Sequence, residues 1–196
     1  MKKKLIMVIV VLIALTGCQD LKFFFKDFEQ SWKGLNMVVQ TYDVQSQVID
    51  KIEGRGISIK RDKKFDSEDD TIDSQVLNIT VGRSEMHHVG SSLIAHETGL
   101  INYFEDFDER VNIMNMKRST PFVNRFVNEY KNKFGGKSKV ILIRSQQGYP
   151  LATFIGDNVS LYKTDVPKST GIIIDGKYLF IYRADYTIYD ANLFMD

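Results

Sequence analysis

Apolar and polar positions alternate along most of this chain, and in a few places they recur every three or four residues instead. "NMVVQTYDV" and "QVIDKIEGRGISIKRD" alternate and are rich in Val, Ile and Tyr, which predicts strands. "SQVLNITVG" is a further strand, and "SKVILIRS" is a near-continuous apolar run that suits a central one. "PLATFIGDNVSLYKTD" suggests a hairpin turning at Gly156-Asp157-Asn158. In "TGIIIDGKYLFIYRADYTIYD", Asp175-Gly176 separates two β-rich runs. That pair is the strongest hairpin signal in the chain, because a type I′ turn needs positive φ at both central positions.

Helical spacing appears three times. Leu21, Phe24, Phe25, Phe28, Trp32 and Leu35 mark a first helix that Gly34 helps to end. "LINYFEDFDER" places Leu100, Tyr103, Phe104 and Phe107 on one face of a short helix. "STPFVNRFVNEYKNKFGG" is the clearest: Ser119 or Thr120 caps it, Pro121 suits the first turn, and Phe122, Phe126, Tyr130 and Phe134 lie four apart before Gly135 and Gly136. The chain therefore reads as an α+β domain, a largely antiparallel sheet with two or three packed α-helices.

The first residues follow a different rule. Lys2, Lys3 and Lys4 precede the uninterrupted apolar run Leu5 to Leu15, which fits a signal h-region and is too short to span a bilayer comfortably. The run ends in Leu15-Thr16-Gly17-Cys18, which resembles the lipobox of bacterial lipoproteins. That resemblance implies a leader cut before Cys18, a diacylglyceryl thioether on its sulfur, and an N-acyl group as a further modification of the freed amine. It requires no other cofactor.

Cys18 is the single cysteine, so an internal disulfide and a multi-cysteine zinc site are both excluded. One acyl chain gives only marginal attachment; two hold a protein on the membrane durably. The segments are then a signal peptide over 1–17, a lipidated N-terminus with an amphipathic helix over 18–36, and one extracytoplasmic α+β domain over 37–196. In the first helix Phe24, Phe28 and Trp32 either dock on the domain or lie at the headgroup level of the membrane.

Cleavage removes three lysines, leaving 23 basic against 25 acidic side chains. Such a near-neutral domain gives no electrostatic case for nucleic acid. The expected partners are membrane lipid through the anchor and another envelope protein; the oligomeric state is open.

"VGSSLIAHETGLINYF", "TPFVNRFVNEYKNKF", "KVILIRSQQGYPLATFIGDNVSLY" and "DVPKSTGIIIDGKYLFIYRADYTIYD" resemble a lipoprotein family of Gram-positive bacteria, domain of unknown function five-zero-five-two. The resemblance covers most of the chain after the leader and implies a surface-facing lipoprotein. It brings no catalytic or binding residues to carry over. An aromatic residue is common in that family where this chain has His96, so the histidines are not a family signature.

Candidate chemistry concentrates in "MHHVGSSLIAHE", which holds all three histidines. Neutral imidazole is a good zinc or copper ligand, but ligands must converge on one ion. On one extended strand His88 and His96 would stand about 26 Å apart, at ~3.3 Å per residue. A hairpin with Ser91-Ser92 at its tip would instead set His87 opposite His96, with Glu85 on the same face. That arrangement is the alternative reading: a metal-binding protein or metal-dependent envelope enzyme using His87, His96 and Glu85. Shifting the tip by one residue pairs His87 with Ile94 and destroys it.

Other signals are weaker. "DSEDD" lacks the spaced ligands and glycine of a calcium loop. Ser160-Leu161-Tyr162-Lys163 matches S-x-x-K by letters, but its strand character puts Ser160 and Lys163 on opposite faces. No glycine-rich phosphate loop, G-x-S-x-G elbow or H-E-x-x-H is present. The leading expectation is a non-enzymatic lipoprotein on the extracytoplasmic face of the bacterial cell membrane, presenting a domain that binds a partner or ligand.

Overall fold

The computed structural model describes residues 22–24, 33–65, 76–105, 122–130, 132 and 138–194. The expected signal peptide, Cys18, Phe28, Trp32, the acidic run at 66–70 and both termini of the clearest expected helix lie outside them.

A seven-stranded sheet forms the middle of the molecule, in the order β1 (Lys22–Phe24), β10 (Val159–Tyr162), β11 (Ser169–Ile174), β12 (Lys177–Tyr182), β7 (Ser92–Glu97), β2 (Asn36–Tyr42), β3 (Val48–Arg55). Its pairings are antiparallel except for the β1–β10 contact. Alternate residues of a strand point to opposite faces, and here both faces are covered. Met37 and Val39, Leu93 and Ala95, and Phe180 and Tyr182 meet Ile57, Ile59, Leu77 and Ile79 of a three-stranded sheet, β4 (Ile57–Arg61), β5 (Leu77–Val81) and β6 (Ser84–His88). Tyr42, Ile94, Ile172, Ile174, Leu179 and Ile181 meet Ile141, Ile143, Leu151 and Phe154 of a second three-stranded sheet. That sheet orders as β13 (Asp185–Asp190), β8 (Lys139–Arg144), β9 (Pro150–Gly156). Two-sided burial is why β2, β7 and β12 carry apolar residues at successive positions.

A further layer covers the second small sheet. Phe126, Val127 and Tyr130, from α1 (Phe122–Glu129) and the residue after it, pack on Val140, Ala191, Ile155 and Tyr189. The rings of Phe122, Phe126 and Tyr130 follow one another at 5.9 and 4.8 Å, as the four-residue spacing requires. Residues 103–105 are helical and 191–194 form a 3₁₀ turn. The architecture is thus mostly antiparallel β-sheet with few helices.

Asp175 (φ 49°) and Gly176 (φ 83°) make the expected two-residue turn, with Ile174 paired to Lys177. β8 is the middle strand of its sheet, as its apolar run indicates. Ser160 lies on β10 opposite Ile173, which removes the helical turn that S-x-x-K chemistry needs.

Two expectations differ. The helix expected from Leu21 is replaced at 22–24 by β1, paired with β10, which draws Phe24 into a strand. The run Phe23-Phe24-Phe25 has high β propensity, and the edge of β10 offers it backbone partners. Gly156-Asp157-Asn158 turns the chain, but β9 and β10 do not pair with each other; the chain passes there from one sheet to the next. The Asp175 carboxylate fixes this corner by accepting from the backbone N–H of Asp157 (3.1 Å) and of Asn158 (2.8 Å). A Cβ at position 156 would stand 2.3 Å from Ile174 Cγ2 and 2.7 Å from Asp175 Oδ2, so only glycine fits.

Candidate functional site

The three histidines occupy three environments. β6 pairs with β5 and β7 pairs with β2 and β12, so the two strands belong to different sheets and do not form a hairpin with each other. His87 stands opposite Asn78, and His96 stands between Val38 and Leu179. The convergence of His87, His96 and Glu85 is therefore not made. Among the described residues no three His, Cys, Asp or Glu side chains gather as a metal-ligand set. The physical reason is burial: His88 and Met86 turn inward while Leu93 and Ala95 meet the same core from the other side. The chain between them crosses from sheet to sheet.

His96 is an interior group. It packs on Phe154 with ring centroids 5.6 Å apart, and its Nδ1 lies 3.2 Å from the Glu97 carbonyl oxygen. Burial holds its pKa below the ordinary imidazole value, against the opposing pull of that carbonyl and of Glu105. His88 is also buried; its Nε2 lies 2.9 Å from the Ser91 carbonyl and its ring meets Tyr182 edge-on.

Near His96 a polar network links the central sheet to the segment after β7. The Tyr42 hydroxyl donates to Gln40 Oε1 (3.1 Å), and Gln40 Nε2 donates to Glu105 Oε1 (2.9 Å). Asn102 Nδ2 also donates to Glu105 (3.3 Å). Asn102 Oδ1 accepts from the backbone N–H of Phe104 (3.1 Å) and of Thr153 (3.0 Å). Burial, and then the Glu105 charge, raise the Tyr42 pKa above its ordinary value, so the phenol stays a donor. This chain of bonds satisfies buried polar groups and ties down β9, an edge strand.

The outer face of the β4–β5–β6 sheet is different in kind. Glu85, His87 and Lys60 are exposed there, with Asn78 half-buried between β4 and β6. Asn78 Nδ2 donates to Glu85 Oε2 at 3.1 Å, and His87 Nε2 lies 3.2 Å from Asp62 Oδ2, an ion pair when the ring is protonated. Phe65 meets His87 edge-on at 5.8 Å yet is 69% exposed. Sequence reasoning missed Phe65, because it stands alone in a charged loop without periodicity.

At one edge of this sheet lies an open cavity of about 270 Å³ lined by Ile52, Ile79, Val81, Ser84, Glu85 and Met86. Its lining brings Ile52 of β3, which among the described residues ends the central sheet, together with residues of β5 and β6. β3 approaches closely here: a Cβ on Gly54 would fall 2.3 Å from Val81 Cγ1. Among the described residues no helix is long and apolar enough to cross a membrane.

A family model described as Domain of unknown function (DUF5052) matches residues 2–194, and the chain belongs to that family. The searches of curated proteins and of solved structures returned no match.

Proposed function

With that membership as premise, we propose that the chain is a membrane-anchored extracytoplasmic lipoprotein whose domain works as a binding module and not as an enzyme. The anchor reading rests on Leu15-Thr16-Gly17-Cys18 behind a lysine-led apolar run. One observation carries the binding reading: the buried polar groups around His96 are engaged in building the fold. His96 and His88 are interior packing groups, and Tyr42, Gln40 and Asn102 bond to one another, to Glu105 or to backbone. Among the described residues, the outer face of the β4–β5–β6 sheet presents His87, Glu85 and Lys60 to solvent, with the exposed ring of Phe65 against His87. Mixed hydrogen-bonding groups beside an exposed aromatic suit recognition of a polar macromolecular surface, with the aromatic as its anchor.

Mass spectrometry of the chain recovered from its native membrane tests the anchor. The expected species begins at Cys18 and carries a diacylglyceryl group. An intact leader with an unmodified Cys18, recovered from the soluble fraction, overturns it. Turnover of an envelope substrate by the purified protein, abolished by one substitution on the His87 face, would overturn the non-enzymatic half.

A further inference from the structure

We propose that β3 is a self-association edge, through which two copies of this chain join their central sheets antiparallel about a two-fold axis at Ile52. The inference stands on β3 alone and holds whether or not Cys18 is lipidated.

Among the described residues β3 ends the central sheet, and six of its eight residues, Val48–Lys51, Glu53 and Arg55, are exposed. Its start is apolar: Val48 is 47% and Ile49 57% exposed, with Val44 in the preceding turn at 48%. An edge strand is a template for another strand unless something blunts it, and the charges of β3 (Asp50, Lys51, Glu53, Arg55) blunt it toward any strand that does not complement them. The opposite treatment is visible at β9, where the Asn102 side chain takes up the Thr153 N–H.

The sequence of β3, Val-Ile-Asp-Lys-Ile-Glu-Gly-Arg, selects the occupant. In a two-fold antiparallel pair one residue must face its own copy. An axis at Asp50, Lys51 or Glu53 would set like charges directly opposite, which is destabilising. Axes at Ile49 or Gly54 would engage only three residues of the strand, 48–50 or 53–55. An axis at Ile52 engages residues 50–54 in regular register, clear of the shift that leaves Ile49 unmatched opposite β2, and sets Lys51 opposite Glu53 of the second copy twice over.

The two faces of that pairing also agree with the structure. Directly opposite residues point to the same side. Lys51 and Glu53 already share a face, with Nζ 3.7 Å from Oε1, so four alternating charges would cluster there. On the other face Ile52 lines the cavity with Ile79, Val81 and Met86. The second copy's Ile52 would lie beside it and extend that apolar lining, and the relation is reciprocal.

The test is sedimentation of the purified full chain in detergent, as wild type, Lys51→Glu, Glu53→Lys and the double exchange. The wild type is expected to dimerise. Each single reversal should weaken the dimer ~tenfold or more, because it creates two repulsive pairs. The double exchange should restore it. Circular dichroism of each variant separates lost association from lost folding. Independently, Ile52→Cys should give a disulfide-linked dimer under mild oxidation, since opposed Cα atoms ~5 Å apart permit the bond. Lys60→Cys and the unsubstituted chain, with Cys18 as its single cysteine, set the baseline. A monomeric wild type overturns the proposal. So do a dimer indifferent to both reversals, reversals that the double exchange fails to rescue, and a monomer that holds a foreign protein at β3.

Discussion

The two small sheets that sandwich the central one are built to similar size and treated in opposite ways. The β13–β8–β9 sheet is covered on both faces, by the central sheet within and by α1 without, and Asn102 holds the edge at β9. The β4–β5–β6 sheet is covered on its inner face, and among the described residues its outer face shows Glu85, His87 and Lys60 to solvent. Apolar burial sets the stability of a region, whereas recognition requires groups left accessible. The first sheet is therefore built as scaffold, and the second is where the proposed binding role would make its contacts.

The largest expected difference comes from the aromatics. Phe126→Ala empties a fully buried site above β8 and should destabilise the fold by about 3–5 kcal/mol. Phe65→Ala should change stability by less than about 0.5 kcal/mol. Urea unfolding of both variants checks this, and equal losses would break the contrast between the sheets.

Backbone space gives the next step. Gly156→Ala should destabilise by about 1–3 kcal/mol, since Ile174 and the Asp175 carboxylate already occupy the site. Gly56→Ala meets no atom within 4 Å and is expected to cost about 1 kcal/mol through its positive φ alone. Thermal melts of the pair separate crowding from conformational strain.

Asparagines sharpen the comparison further. Asn102→Ala strips an acceptor from two backbone N–H groups and should cost about 1–3 kcal/mol, while Asn78→Ala on the open face should stay near 0.5 kcal/mol or below. Hydrogen exchange at Thr153 should quicken only in the first variant.

The smallest effect is one of pH. His96 has a depressed pKa in the folded state, so the unfolded chain protonates first as acid is added. Stability should be unaffected by His96 above the unfolded value of about 6.5, fall as pH drops through it, and level off below the folded value. His96→Phe should flatten that part of the stability–pH curve; an unchanged curve would place the titration elsewhere.

Much of this fold is legible in the residues. Strand periods, the Asp175-Gly176 turn, the central position of β8 and the aromatic ladder of α1 are local signals, and each is expressed. What escapes is partner choice. Turn chemistry at Gly156-Asp157-Asn158 reports a change of direction and not whether the flanking strands pair together. Likewise Gly90-Ser91 between β6 and β7 looks like a hairpin tip, yet it carries the chain between layers. The convergence of His87 and His96 fails for the same reason: it requires a register that only the packing of three layers decides. Phe24 belongs here too, since a helical spacing and a β-prone phenylalanine run coincide and the neighbouring strand decides between them.

The order of strands in the middle sheet constrains how the molecule comes into being. β7 pairs with β2 from the start of the domain on one side and with β12, near the far end of the chain, on the other. During synthesis, β7 must wait with one hydrogen-bonding flank open until residues 177–182 arrive. Such distant closure is slow, and it leaves a sticky intermediate for as long as it lasts. A chain stopped short of β12 should therefore accumulate as aggregate and not as a smaller soluble domain.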